Sequence, residues 1–479
     1  MSEPSTAVAP ALDDRPPEED RRGGFLDRLQ DAGVGLTAWS ERWIPDAWVV
    51  ALIMTIPVFV MALIWGDVDA SGAFVAWGDG IWTLLTLMAE FSFAIVIAYA
   101  VAVARPVARL LNWIASRPDP AKPAQAVLVM AAFSYVTAWL NWAVAIVMSA
   151  VLVLFMAKNN PRADYRLLAC AAFLGFGTVW NAGLSSSSAL IVATPDNFLI
   201  TGKVLANTIP ISETILTPWN IVLSLVVAVL GTAFIVALTP RPEKAWTMPP
   251  DRLEALLPSM EREPVAAPLT PAQRMESWRG WNLLFGVATM AYLVHLLATK
   301  GIAGWTIDAY NLLFLSLAIL LHGRPRPFLD ACERGIRGAW GILLVFPFFA
   351  GMFGLIQLTH LGTTLSDFFA SITTAHTFAP IVYWYSGILN YFVPSAGAKW
   401  ALEAPYLIPA AASHGVSPAG ATMAYSWGDL GTALIQPFWA IALLAIVRLK
   451  FGQIMGYCLV IWVPFSIVAT IGMFLMPIH

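Results

Sequence analysis

A chain of 479 residues with 58 % hydrophobic and 12 % charged residues is too apolar for a soluble globule and reads as a polytopic membrane protein. Its net charge of -3, with Lys and Arg dispersed over short loops rather than gathered in one stripe, gives no sign of a nucleic-acid-binding surface. Cys170, Cys332 and Cys458 lie in or beside apolar segments without CxxC spacing, which suggests neither a disulfide framework nor a zinc site, and the reading is packed free thiols.

Residues 1–24 are proline-rich and mixed in charge, and no apolar stretch follows a basic start, so the reading is a disordered cytoplasmic tail rather than a signal peptide. Phe25, Leu29, Leu36, Trp39 and Trp43 then recur at helical steps among polar neighbours, which predicts an interfacial helix over 25–46. Residues 47–65 and 81–104 are each long enough to cross a hydrocarbon core of about 30 Å. Asp67, Asp69 and Asp79 separate them without a Lys or Arg, whereas Arg105, Arg109, Arg117 and Lys122 follow the second. The positive-inside rule places that basic loop, and with it the N-terminus, in the cytoplasm.

The run 124–157 is flanked by basic residues at both ends, so it must go in and come back. The reading is a hairpin opening inward, with a long descent and a shorter return around Asn141. Residues 167–200 run outward but are interrupted by Gly183, Ser185 to Ser188 and Pro195, and 219–238 return. A proline-rich cytoplasmic linker over 240–279 separates a first membrane repeat, 47–239, from a second, 280–479. In the second half 281–298 go out and 310–321 return. Arg324, Arg326, Arg334 and Arg337 mark the inside, 338–358 go out, and 360–378 form an outer interfacial piece. Arg448 and Lys450 pin the end of a broken helix, 419–447, to the cytoplasm, so 379–414 must be a second hairpin opening the opposite way and the C-terminus is periplasmic.

The predicted fold is therefore all-α, an inverted repeat with two re-entrant hairpins and two broken transmembrane helices. The tip of the second hairpin, GILNYFVPSAGAKW over 387–400, sets Asn390, Pro394, Ser395, Gly397 and Lys399 in an apolar segment. Such a break is tolerated in a membrane only where protein or a water-filled cavity supplies backbone partners. Asn141-Trp142 parallels Asn390-Tyr391, and Ser188-Ala189-Leu190-Ile191 parallels Thr432-Ala433-Leu434-Ile435, with Pro195 and Pro437 following. The halves differ in having two and three crossings before their hairpins.

A helix that stops in mid-membrane offers N-H groups to an anion and carbonyls to a cation. The candidate substrate-binding residues at these breaks are Asn141, Trp142, Ser185, Ser186, Ser187, Ser188, Thr194, Asn197, Asn390, Tyr391, Ser395, Gly397, Lys399, Thr432 and Gln436. Trp142, Tyr391 and Trp427 are candidates to line an apolar pocket, against the commoner role of aromatics as packing residues. Lys399 and Glu403, four apart on one helical face, either neutralise each other or attract and release a substrate carboxylate. Asp429 either carries a proton or cation or caps a half-helix, and Asp429 and Glu403 are the candidates for the coupling ion. Glu90 reads as a packing or interface residue, and so does His295.

The WIPD of 43–46, LNW of 140–142, ATPDN of 193–197, LNYFVPSAGAKW of 389–400, PYLIPAA of 405–411, QPFWAI of 436–441 and IMGYC of 454–458 run in order over nearly all the chain beyond the tail. Together they resemble the bacterial short-chain fatty acid transporter family. That resemblance implies uptake of acids such as acetoacetate or butyrate across the inner membrane. It also implies an architecture similar to the ion-transporter superfamily, in which a domain of hairpins and broken helices moves against a scaffold, often within a homodimer. The Ser-Asn-Thr signature of dicarboxylate symporters is absent, so the coupling ion stays open between proton and sodium.

The function read from the sequence is secondary transport of short-chain monocarboxylates through the lipid bilayer, with no cofactor, no metal and no nucleic acid. The alternative is a cation/proton antiporter of the same architecture. An intramembrane enzyme is disfavoured because the chain has no HExxH or GxSxG and its histidines are scattered.

Overall fold

The computed structural model describes residues 47–240, 243, 245–257, 270–336, 339–393 and 395–478. The tail, the predicted interfacial helix, part of the linker, Arg337 and Pro394 lie outside the described residues. Every regular element among them is a helix. In chain order these are α1 (Ala47–Trp65), α2 (Ala70–Gly80), α3 (Leu85–Ala102), α4 (Arg105–Ala115), α5 (Pro123–Leu140), α6 (Trp142–Asn159), α7 (Tyr165–Thr178), α8 (Ser187–Ala193), α9 (Phe198–Thr201) and α10 (Pro218–Ala237). After the two short linker helices α11 (Pro250–Leu256) and α12 (Pro271–Glu276) come α13 (Arg279–Lys300), α14 (Ile307–His322), α15 (Pro325–Gly335), α16 (Trp340–Gln357) and α17 (Leu361–Ile372). The chain closes with α18 (Phe378–Phe392), α19 (Ala396–Ser413), α20 (Pro418–Leu430), α21 (Pro437–Val447) and α22 (Gly452–Phe474).

Seven spans among the described residues are long and apolar enough to cross a membrane, and α16 with α17, bent by 77° at the break between them, is either an eighth, broken span or a re-entrant loop. Their burial ranks them. The α7–α8 stretch has 94 % of its most apolar window buried, while the stretch containing α13 has 17 %, so the former is central and the latter faces outward. In lipid such an apolar outer face costs nothing, because the solvent is itself hydrocarbon.

The run 124–157 divides evenly, which corrects the expected long descent and shorter return. Helices α5 and α6 are each 18 residues, about 27 Å at 1.5 Å per residue. The division falls at Asn141 because that one residue ends one helix and starts the next. Its backbone is extended (φ -157°, ψ 115°), its N-H donates to Thr137 O at 2.8 Å, and its side-chain oxygen accepts from Val144 N at 2.9 Å.

The next break is fixed by close approach. Leu184 N donates to Trp139 O at 2.7 Å, and a Cβ on Gly183 would lie 2.2 Å from that same carbonyl oxygen, so a residue without a side chain is required there. One turn before the end of α7, Gly175 meets α5 in the same way. A 3-10 turn, Trp180–Ala182, joins α7 to the break, and α8 restarts with Ser186 as its N-cap. In the second half the chain breaks between Leu430 and Pro437. There the Gly431 carbonyl accepts from Trp462 Nε1 of α22 at 2.6 Å, which supplies one of the partners a mid-membrane break requires.

Candidate functional site

Helix α19 is buried along most of its length, and with it Lys399 and Glu403. A charge in such surroundings needs partners. Lys399 Nζ, wholly buried, lies 3.1 Å from Asp429 Oδ1 on α20, itself 3 % exposed, in an ion pair by proximity rather than an aligned hydrogen bond. The ammonium donates instead to Ser386 O of α18 at 2.8 Å and stands 4.9 Å over the Tyr425 ring. Of the two carboxylates it is Asp429 that Lys399 pairs with directly, between helices, because tertiary packing brings α20 closer than the next turn of α19. Glu403 accepts a hydrogen bond from Ser386 Oγ through Oε2, and its Oε1 has no hydrogen-bond partner among the described residues. Counting formal charges, one ammonium faces two carboxylates.

Asn181, in the 3-10 turn of the first half, donates to Asp429 Oδ2 at 3.2 Å and to Ser426 O at 3.4 Å. Its own oxygen accepts from Ser186 Oγ at 3.1 Å and Ser187 N at 3.0 Å. Ser188 Oγ and Ser426 Oγ are 2.6 Å apart. Since Ser426 donates to Thr422 O at 2.8 Å, Ser188 is the donor of that pair. The serine run of the first break and the acid of the second are thus one buried polar network.

Other predicted site residues fall in separate places. Asn390 Nδ2 reaches Thr432 Oγ1 at 3.5 Å, and Thr432 donates to Gly387 O at 2.7 Å, which ties the two breaks of the second half together. Gln436 is buried one turn on, with its N-H donating to Thr432 O at 2.9 Å. Ser395 starts α19 and accepts from Lys399 N at 2.8 Å, while the Phe91 ring of α3 lies against Gly397. Tyr391 is half-buried beside them.

At the first hairpin Trp142 N donates to Ser185 Oγ at 3.1 Å. The Trp142 ring packs with Phe176, Trp180 and Trp439, whose centroids lie 6.4, 5.9 and 5.2 Å away. Thr194 and Asn197 stand apart from the charged cluster. Thr194 back-bonds to Leu190 O and accepts from Ile307 N, and Asn197 caps α9 through Leu199 N. Trp427 is a tie rather than a pocket wall, fully buried and donating to Asn220 Oδ1 at 2.9 Å.

Sequence reasoning missed Asn181, Ser386, Asn220, Tyr425 and Ser426. The one local signal was Asn181 itself, a lone amide two residues before Gly183 inside an apolar run. Cys170 and Cys458 are buried as expected of packed thiols and lie side by side, with sulfurs 3.6 Å apart.

Interrupted helices around a buried charged network, within a bundle of membrane-length apolar spans, define a multi-pass α-helical membrane protein of the transporter class. The description "Short chain fatty acid transporter" matches residues 28–476, and the chain belongs to that family, which comprises transporters rather than enzymes. A candidate short-chain fatty acid transporter of Escherichia coli K12 is 31 % identical over 438 residues, covering 91 % of this chain and 98 % of the relative. Its counterpart in Haemophilus influenzae Rd is 28 % identical over 445 residues, covering 92 % and 98 %.

Among solved structures, the Alcanivorax borkumensis YdaH transporter, described as having an unusual topology, aligns with a TM-score of 0.55 at 18 % identity over 89 % of this chain and 98 % of its own. Neisseria gonorrhoeae MtrF, described within a class of antimetabolite efflux pumps, aligns with a TM-score of 0.56 at 16 % identity over 92 % and 96 %. These two likenesses are of fold.

Proposed function

We propose that this chain takes up short-chain monocarboxylates by alternating access, coupled to a proton or sodium gradient across a bacterial inner membrane. The observation that carries the reading is the buried cluster of Lys399, Asp429 and Glu403, which Asn181 joins to the break of the first half. One ammonium among two carboxylates leaves a formal charge of -1 that a single monovalent cation neutralises, and uncompensated charge in a low-dielectric interior is costly. Lys399 then attracts the carboxylate of the substrate, with the hydroxyls of Ser185 to Ser188 and Ser395 beside it, and Asp429 or Glu403 carries the cation. Asn390, Tyr391, Gly397, Thr432 and Gln436 form the second hairpin's side of the site, and Asn141 and Trp142 the first's. Thr194 and Asn197 are engaged away from the charged cluster and contribute least.

The layout proposed with this reading is an inverted repeat over 47–239 and 280–479, with re-entrant hairpins at 124–157 and 379–414 and broken helices at 167–200 and 419–447. The same proposal has a cytoplasmic N-terminus, a periplasmic C-terminus and room for pairing of two copies as a homodimer. A butyrate-sized acid suits an apolar site with one charged end, because each buried CH2 contributes about 0.8 kcal/mol. The excess of carboxylate over ammonium also favours a second reading, a cation/proton antiporter without an organic substrate.

Uptake of labelled butyrate into proteoliposomes, challenged with unlabelled acids of increasing length and with butyramide, separates the two readings. Competition by short carboxylates and none by the uncharged amide is expected. Butyrate entry equal to that of protein-free vesicles, together with cation flux, overturns the first reading in favour of the second.

A further inference from the structure

Asn181 occupies a position that neither a packing role nor a substrate contact accounts for. It is fully buried in the turn between α7 and α8, and every polar function of its amide is engaged. The orientation of that amide is fixed by chemistry, since Ser187 N can only donate and therefore faces the amide oxygen, which turns the NH2 toward Asp429. On the other side Ser186 caps α8, its Oγ accepting from Ala189 N at 3.3 Å. A continuous path of polar contacts therefore runs from Lys399 through Asp429 and Asn181 to the first turn of the broken helix in the opposite half. Glu403 from α19 and Tyr425 from α20 are the other ionisable groups facing Asp429.

We propose that Asn181 is a positioning residue that makes the serine run at the start of α8 respond to whether Asp429 holds its cation, and so couples cation binding to substrate binding. The inference rests on the transport reading above, in which Asp429 is a cation carrier. With Asp429 ionised, its Oδ2 holds the Asn181 NH2 and the amide oxygen holds Ser186 and Ser187. With a proton or sodium ion on the carboxylate, that acceptor is no longer a free full charge, the amide loses its strongest anchor, and the two serines are released to reorient. Without Asn181 the carboxylate still exchanges its cation, but the first-half break has no contact through which to respond.

The test compares purified wild-type protein with Asn181→Ala and Asn181→Asp in proteoliposomes. Asn181→Ala removes both the donor to Asp429 and the acceptor for Ser186 and Ser187; Asn181→Asp keeps the acceptor but sets a second carboxyl 3.2 Å from Asp429, where the two share a proton, so it replaces the neutral amide link with a charged one. Two readouts are needed: butyrate-for-butyrate exchange with no imposed gradient, and accumulation driven by a pH gradient and, separately, a sodium gradient. The expected result is that accumulation falls about tenfold further than exchange in both variants, as befits loss of a hydrogen bond to a charged group. A parallel fall of both readouts, no effect on either, or failure of both variants to give folded protein overturns the coupling role and leaves Asn181 a structural residue. Wild-type vesicles that neither exchange nor accumulate butyrate overturn the transport reading, and the coupling role with it.

Discussion

Replacing Lys399 with Met is expected to abolish transport and to destabilise the protein by about 3–5 kcal/mol, the cost of stranding a buried charge after its partner is removed. Methionine keeps the length and apolar stem of lysine but leaves the carboxylates of Asp429 and Glu403 without a cation, and takes from Ser386 O the donor it has at 2.8 Å. Against a typical net stability of about 5–15 kcal/mol, such a loss shows as a lowered melting temperature and a poor yield of monodisperse protein. The double variant Lys399→Met/Asp429→Asn removes one charge of each sign. It is expected to recover part of the melting temperature, because taking away both partners is cheaper than taking one, although Glu403 and Ser386 O still lack the ammonium, while gradient-driven butyrate uptake stays absent. Thermal unfolding in detergent and uptake in vesicles read the two effects separately. A Lys399→Met variant with wild-type stability and uptake would remove the cluster from the mechanism altogether.

The second large effect is purely steric. A Cβ on Gly175 would lie 2.1 Å from Ser134 O, 2.4 Å from Ser134 C and 2.8 Å from Tyr135 N, all backbone atoms of α5 that cannot rotate away. The contact is also hydrogen-bonded, with Gly175 N donating to Ser134 Oγ at 2.9 Å and Ser134 Oγ donating to Ala172 O at 2.7 Å. Gly175→Ala must therefore push α5 from α7 and break both bonds in the most buried part of the protein, at about 3 kcal/mol or more. Gly78→Ala is the matched control. It lies inside α2 with nothing within 4 Å of a built Cβ, so alanine there is expected to be neutral or to stabilise by up to about 1 kcal/mol through helix propensity. Equal melting temperatures for the two variants would contradict the close packing of α5 on α7.

The membrane class, the all-helical fold and the places where helices stop were legible because they rest on local signals. Long apolar runs announce spans, and Asn141, Gly183 to Ser188, and the stretch from Gly431 to Pro437 announce interruptions within them. The three buried charges were legible too, since an ionisable residue inside an apolar run is conspicuous whatever surrounds it. What could not be read was their pairing. Spacing along α19 points Lys399 at Glu403, and nothing in the order of residues says that α20 brings Asp429 to 3.1 Å. Asn181 and Ser386 were hidden for the same reason. Their roles come from what packs opposite them, Asp429 and Glu403, which are 248 and 17 residues away in sequence. The even division of α5 and α6 is not legible in the sequence, because a polar Asn141 in an apolar run marks a break without saying how long each arm is, and its side chain caps a helix as long as the one before it.

The most direct test of the central claim is the concentration of labelled butyrate inside vesicles holding the purified wild-type protein, followed over time under an imposed pH gradient and, separately, an imposed sodium gradient. Neutral butyric acid crosses lipid unaided, so protein-free vesicles set the baseline. The account predicts saturable accumulation above that baseline under one of the two gradients, abolished in Lys399→Met. Folded, inserted protein that accumulates no butyrate above baseline under either gradient would contradict it.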